Sequence, residues 1–70
     1  MEKVYKKITL VGSSEEGLEA AIRAAVARAQ QTLRHVEWFE VKEIRGSVGP
    51  QGVQSFQVVL EVGFRLEEEA

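Results

Sequence analysis

Phe56-Gln57-Val58-Val59-Leu60-Glu61-Val62-Gly63-Phe64-Arg65-Leu66 decides how this 70-residue chain folds. Phe56, Val58, Leu60, Val62, Phe64 and Leu66 fall on one side of an extended backbone. Ser55, Gln57, Val59, Glu61, Gly63 and Arg65 fall on the other. A period of two over so many residues is the mark of a strand with one covered face, and it pins the register, because a one-residue slip would turn every apolar group to water. The pattern predicts a strand from Val53 to Leu66.

Immediately upstream, Gly46-Ser47-Val48-Gly49-Pro50-Gln51-Gly52 carries three glycines and the only proline, which predicts a hairpin turn. Before it, Val36 to Arg45 reads as the partner strand. Phe39 and Val41 share its core side, while Trp38, Glu40 and Lys42 share the other. The single tryptophan is thereby turned away from the core. An indole buries roughly 150 to 250 Å², worth on the order of 4 to 6 kcal/mol, so a partner beyond this chain's own core is expected to cover it. Simple alternation from Phe39 and Val41 places Arg45 on the core side, and only a twist or a bulge brings it round to Trp38.

The helix lies between this hairpin and the start of the chain. Leu18, Ala21, Ile22, Ala25, Val26, Ala29 and Leu33 recur at intervals of three and four, with Glu19, Arg23, Gln30 and Arg34 off the stripe. A helix from Glu15 to Leu33 is expected, opened by a Ser13/Glu16 capping box, with Glu19 and Arg23 paired at i,i+4 and Arg34-His35 opposing the dipole at its end. From Lys3 to Val11, Val4, Ile8 and Leu10 alternate with Lys3, Tyr5, Lys7 and Thr9, which predicts the first strand. The order is then β-α-β-β in the α+β class. A right-handed crossover leaves the third strand between the other two, so the expected sheet is three-stranded, antiparallel and ordered 1-3-2, with the helix on its apolar face.

Residues 1–70 are expected to form one domain, small enough to be marginal alone. There is no cysteine to staple it, which leaves oligomerisation as the natural support. A third strand of about 45 Å outruns a helix of about 28 Å, so Phe64 and Leu66 are expected to overhang it and to be covered by neighbouring copies in a symmetric homo-oligomer. No apolar run long enough for a signal peptide or membrane span is present, and the lack of cysteine suits a reducing cytoplasm. The net charge of -2 argues against nucleic acid or an anionic membrane as partner.

Enzymatic turnover finds little support. Ser13 and Ser14 have no recognisable base, and His35 is the only histidine, with no cysteine to join it in a metal site. The Gly46, Gly49, Gly52 spacing joins two strands and is no dinucleotide fingerprint. Glu40, Glu43 and Glu61 read as solvated strand charges.

The hairpin from Trp38 to Gly46, its glycine-bearing turn, and Phe56-Gln57-Val58-Val59-Leu60-Glu61-Val62-Gly63-Phe64-Arg65 together resemble the dodecins, small flavin-binding proteins of this length and element order. The Ser13-Ser14-Glu15-Glu16 helix start belongs to the likeness, which covers nearly the whole chain. It implies a hollow homododecamer that binds, stores and photoprotects flavin (FMN, riboflavin or FAD). In it, flavin pairs stack between the tryptophans of symmetry-related chains. Trp38 matches the stacking residue and Gln57 the glutamine that hydrogen-bonds the ring. Chemistry agrees: an electron-poor tricycle stacks well on an indole, and a carboxamide carries both donors and an acceptor for its pyrimidine edge.

Arg45 is a candidate for ribityl or phosphate oxygens. Arg65 is a further cofactor candidate, with Glu67, Glu68 or a neighbouring subunit as competing partners. Lys3, Lys6, Lys7 and the helix arginines permit a separate site for a phosphate-bearing ligand such as coenzyme A. The alternative reading is a structural or protein-interaction cage with Trp38 as an interface residue and no flavin.

Overall fold

The computed structural model describes residues 2–67. Its elements follow the expected order: β1 (Tyr5–Ser14), α1 (Leu18–Thr32), β2 (Val36–Gly49) and β3 (Gly52–Arg65). The sheet is ordered β1-β3-β2, with β3 antiparallel to both neighbours. Val58, Leu60 and Val62 are fully buried, each worth about 1.5 to 3 kcal/mol. They are the middle of the apolar row that the alternation of β3 defines.

Small residues set the height of the helix above the sheet. Ala21, Ala25 and Ala29 are its buried positions, with Leu18, Ile22 and Val26 packed partly under its edge. Beneath it lies Gly12, where a side-chain carbon would come within 2.4 Å of the Ala21 carbonyl oxygen and 3.0 Å of the Ala25 methyl. The backbone of β1 and the helix therefore touch with nothing between them.

Several boundaries differ from expectation. The Ser13/Glu16 capping box does not form, because β1 runs on through Ser14, opposite Phe56. Ser14 Oγ accepts from the Glu16 amide at 3.0 Å instead, and the helix opens at Gly17. The Glu19–Arg23 pair is present at 2.8 Å. Arg34 and His35 lie beyond the helix end at Thr32 and so do not sit in its last turn. His35 takes a left-handed φ of 63°, where the chain reverses into β2.

The expected turn from Gly46 to Gly52 shrinks to Pro50 and Gln51. Gly46, Ser47, Val48 and Gly49 continue the ladder against Phe56, Ser55, Val53 and Gly52, and the Ser47 and Ser55 hydroxyls meet at 2.7 Å. Glycine weakens a strand, but a complete set of partners holds it extended. Beyond Phe56 no β1 residue remains to pair, so the hairpin projects as a two-stranded arm and the molecule measures 57 × 20 × 13 Å.

The uncovered apolar surface also lies elsewhere than predicted. Leu66 is exposed but Phe64 is half-buried. The larger bare surface is the core side of β2 and the arm, where Phe39, Val41, Ile44, Val48 and Val53 all stand exposed. Gly12 draws the helix over β1 and β3 and leaves β2 nearly free of it. No described helix is long and apolar enough to cross a membrane.

Candidate functional site

The face of the sheet opposite the helix carries the polar half of β3: Ser55, Gln57, Val59, Glu61, Gly63 and Arg65. Two bulges in β2 decide what joins it. The first leaves Glu37 unpaired between Val36, opposite Phe64, and Trp38, opposite Gly63. Val36 thus faces the core while Trp38, two residues on, faces outward. The second leaves Lys42 unpaired, so that Glu43 sits opposite Val59 and Arg45 opposite Gln57. This bulge reverses the parity of the strand and brings Arg45 onto the outer face. Bulges re-aim side chains in this way at functional surfaces.

Trp38 rests on Gly63. A side-chain carbon at position 63 would fall 2.3 Å from Cε2 and Cζ2 of the indole, so the six-membered part of the ring occupies the space of the missing side chain. Tyr5 meets it edge-on, with ring centroids 5.1 Å apart and planes at 63°, a favoured aromatic geometry. The indole Nε1–H donates to Glu40 Oε2 at 3.1 Å. The ring therefore has a floor, an edge support and a polar tether, and remains 36% exposed.

Ion pairs hold the tether. Lys7 Nζ lies 3.3 Å from Glu40 and 3.0 Å from Glu61, and Lys42 approaches the same two carboxylates at 3.7 and 3.9 Å. The indole hydrogen bond, followed by the Lys7 contact, lowers the pKa of Glu40. The Glu61 and then Glu40 contacts raise that of Lys7. Behind the indole, partial burial and then the Glu37 carboxylate raise the pKa of Tyr5. Glu37 is itself 3.4 Å from Arg65 Nε.

Gln57 is on the same face but not beside Trp38. Its Oε1 accepts from Arg45 Nε at 2.8 Å, and Arg45 Nη1 also reaches Glu43 at 3.3 Å. With its carbonyl oxygen engaged, the carboxamide leaves its NH₂ donors to be used. Gly63, beneath the indole, and Gln57 are six positions apart on β3, or about 20 Å at roughly 3.3 Å per residue. That exceeds the reach of one flat tricyclic ring. The indole and the Gln57 of one chain are therefore not both within reach of a single such ring.

Arg65 pairs with Glu37 rather than Glu67, which instead meets Arg34 at 3.2 Å. Glu68 lies outside the described residues. Lys7, Arg23 and Arg34 are each engaged by glutamates in separate places, and these three do not form one basic site. Glu40 was the role missed in the sequence. It reads as a solvated charge until the pairing of Trp38 with Gly63 shows where the indole edge lands.

Comparison with known proteins agrees with this architecture. The sequence profile of the Dodecin family matches residues 4–67. A dodecin of Thermus thermophilus is 75% identical over 68 residues, covering 97% of this chain and 99% of that one. A crystal structure of a Thermus thermophilus protein superposes with a TM-score of 0.93 at 74% identity, over 97% of this chain and all of that one. More distantly, the structure of a Mycobacterium tuberculosis calcium dodecin, described with a calcium-binding site, matches with a TM-score of 0.81 at 30% identity over 96% of each chain. A match that spans nearly the full chain in both sequence and structure places this protein in the dodecin family.

Proposed function

We propose that this protein binds flavin without turning it over, storing it and damping its photochemistry, in a closed homododecamer in the cytoplasm. The observation that carries the reading is the Trp38 indole. It is held rigidly on Gly63 by Glu40 and Tyr5, yet keeps a ring face open to the outside of the sheet. A flat ring already fixed in place loses little entropy when a second flat ring stacks on it, and such stacking is worth about 1 to 3 kcal/mol per contact.

In the assembly, flavin pairs stack between Trp38 residues of symmetry-related chains. Gln57 of another chain offers its NH₂ donors to the carbonyl edge of the ring. Arg45 holds Gln57 and stands ready for ribityl or phosphate oxygens. Arg65, tied to Glu37, supports the Tyr5 side of the site rather than the ligand. The apolar surface left bare on the core side of β2 and the arm is the contact between copies, and the indole, on the opposite face of the same strand, meets the flavin between chains. Light absorbed by the flavin is dissipated when the stacked indole gives an electron to the excited ring and receives it back.

Calcium binding, as described for the Mycobacterium tuberculosis relative, finds no group of three or more potential ligands among the described residues. Glu40 and Glu61, opposite each other across β2 and β3, are bridged by Lys7. Titration of riboflavin or FMN with purified protein tests the proposal: the flavin emission is quenched as protein is added. Unchanged emission at excess protein, from a particle that still sizes as a large oligomer, supports the empty cage instead.

A further inference from the structure

Trp38 and Tyr5 are the only tryptophan and the only tyrosine of the chain, cysteine is absent, and the single methionine is Met1. The two side chains most readily oxidised by one electron are therefore in contact, at 5.1 Å between centroids. Each also has its own carboxylate. The indole Nε1–H donates to Glu40, and the Glu37 carboxylate, 3.4 Å from Arg65 Nε, is near enough to the phenol to help raise its pKa. Glu37 is the residue that the first bulge of β2 ejects from the ladder, so an irregularity of the strand supplies the phenol with a base.

We propose that Tyr5 is a second one-electron donor behind Trp38, so that an oxidising equivalent placed on the indole passes to the phenol. The oxidant is an excited flavin stacked on the indole, and the proposal rests on the flavin reading only for this natural source. The oxidant takes one electron from the indole, whose Nε1 proton is shared with Glu40. One electron from Tyr5 then refills the indole, and the phenol O–H proton moves to the Glu37 carboxylate. The balance is a neutral indole, a neutral phenoxyl radical, a protonated Glu37 and an oxidant reduced by one electron.

Two features set the direction. A phenol beside a carboxylate gives up electron and proton together, avoiding a charged intermediate. The indole shares its proton with Glu40 in the same way, and the hole moves on because the neutral phenoxyl radical is a weaker oxidant than the indole radical near neutral pH. The consequence is protective, because an oxidised indole that is not promptly reduced is open to irreversible attack, which would destroy the stacking surface. Tyr5 draws the damage away to a partly covered phenol on β1, across β3 from the indole.

The experiment uses the ligand-free oligomer. Azidyl radicals generated by pulse radiolysis oxidise indole selectively, and the indole and phenoxyl radicals absorb in separate visible and violet bands. In the wild type the indole band decays as the phenoxyl band rises, at a rate independent of protein concentration. Tyr5→Phe, which keeps the edge contact, loses the phenoxyl band and prolongs the indole radical. Glu37→Gln slows the conversion. An indole band that decays with no phenoxyl rise, a rate proportional to protein concentration, or a Glu37→Gln variant as fast as wild type would each overturn the proposal. Because no flavin is present, these results are independent of whether the flavin reading holds, which the fluorescence titration decides separately.

Discussion

The six-membered part of the Trp38 indole occupies the place where Gly63 would otherwise carry a side chain, with Cε2 and Cζ2 only 2.3 Å from the position of an added carbon. The glycine is thus half of the proposed binding surface. Its neighbours on the outer face of β3, Glu61 and Arg65, carry long side chains, and a side chain at 63 would lift the ring off the sheet. Gly63→Ala is expected to cost about 1 to 3 kcal/mol through overpacking and to abolish flavin quenching. Thermal melts and a flavin titration measure the two effects side by side.

Trp38→Ala removes the platform while leaving the ladder intact. Flavin affinity should fall by about 1 to 3 kcal/mol per lost stacking contact, or roughly 5-fold to 150-fold. Size-exclusion chromatography should show the same particle as wild type. Retained affinity in a correctly sized particle would remove the indole from the site.

Arg45 fixes the Gln57 carboxamide by a 2.8 Å bond from a charged donor. Arg45→Ala should weaken flavin binding by about 1.5 to 3 kcal/mol, the range for hydrogen bonds involving charged groups. The loss should be greater for FMN than for riboflavin, since in the proposed site the guanidinium also serves the phosphate. Calorimetry with the two ligands distinguishes orientation from charge attraction: equal losses would leave only the orienting role.

Glu40 gives the site a dependence on acidity. Its pKa is lowered from an ordinary value of 4.5 by the indole hydrogen bond and by Lys7, so folding favours the ionised form. The resulting stabilisation is present above the ordinary value and is lost as pH falls through the lowered one. Wild type and Glu40→Gln should therefore differ in melting temperature at neutral pH and converge in acid. A gap that stays constant down through the carboxylate range would show that the carboxylate charge has no part in it.

Ile44 stands on the bare core side of β2, 57% exposed, among Phe39, Val41 and Val48. Ile44→Glu places a charge where the proposed assembly excludes water, at a cost of several kcal/mol per contact. Within one protomer the same change is solvated. Sedimentation should show dissociation to small species that retain the secondary structure of the fold.

Much of the fold was legible in the residues themselves. Period two in β3 and the three-to-four spacing from Leu18 to Ala29 respond to one requirement, that an element present its apolar groups to one side, and that requirement is local to the chain. The antiparallel order 1-3-2 followed from chain connectivity. Trp38 and Gln57 were placed on one outer face for the same reason.

Tertiary structure decided what alternation does not encode. Bulges at Glu37 and Lys42 arise where β2 is fitted to β3; the second turns Arg45 to the outside and the first leaves Glu37 out of the ladder. The close approach of Gly12 to Ala21 shifts the helix toward β1, which moves the bare apolar surface from the end of β3 to β2 and its arm. The tether from the indole to Glu40 likewise waited on cross-strand geometry, since a glutamate two residues from a tryptophan is a surface charge in one dimension and a hydrogen-bond acceptor only once Gly63 has laid the ring down. Hydrophobic pattern is written residue by residue, whereas register, bulges and steric gaps belong to pairs of segments that meet only in the folded chain.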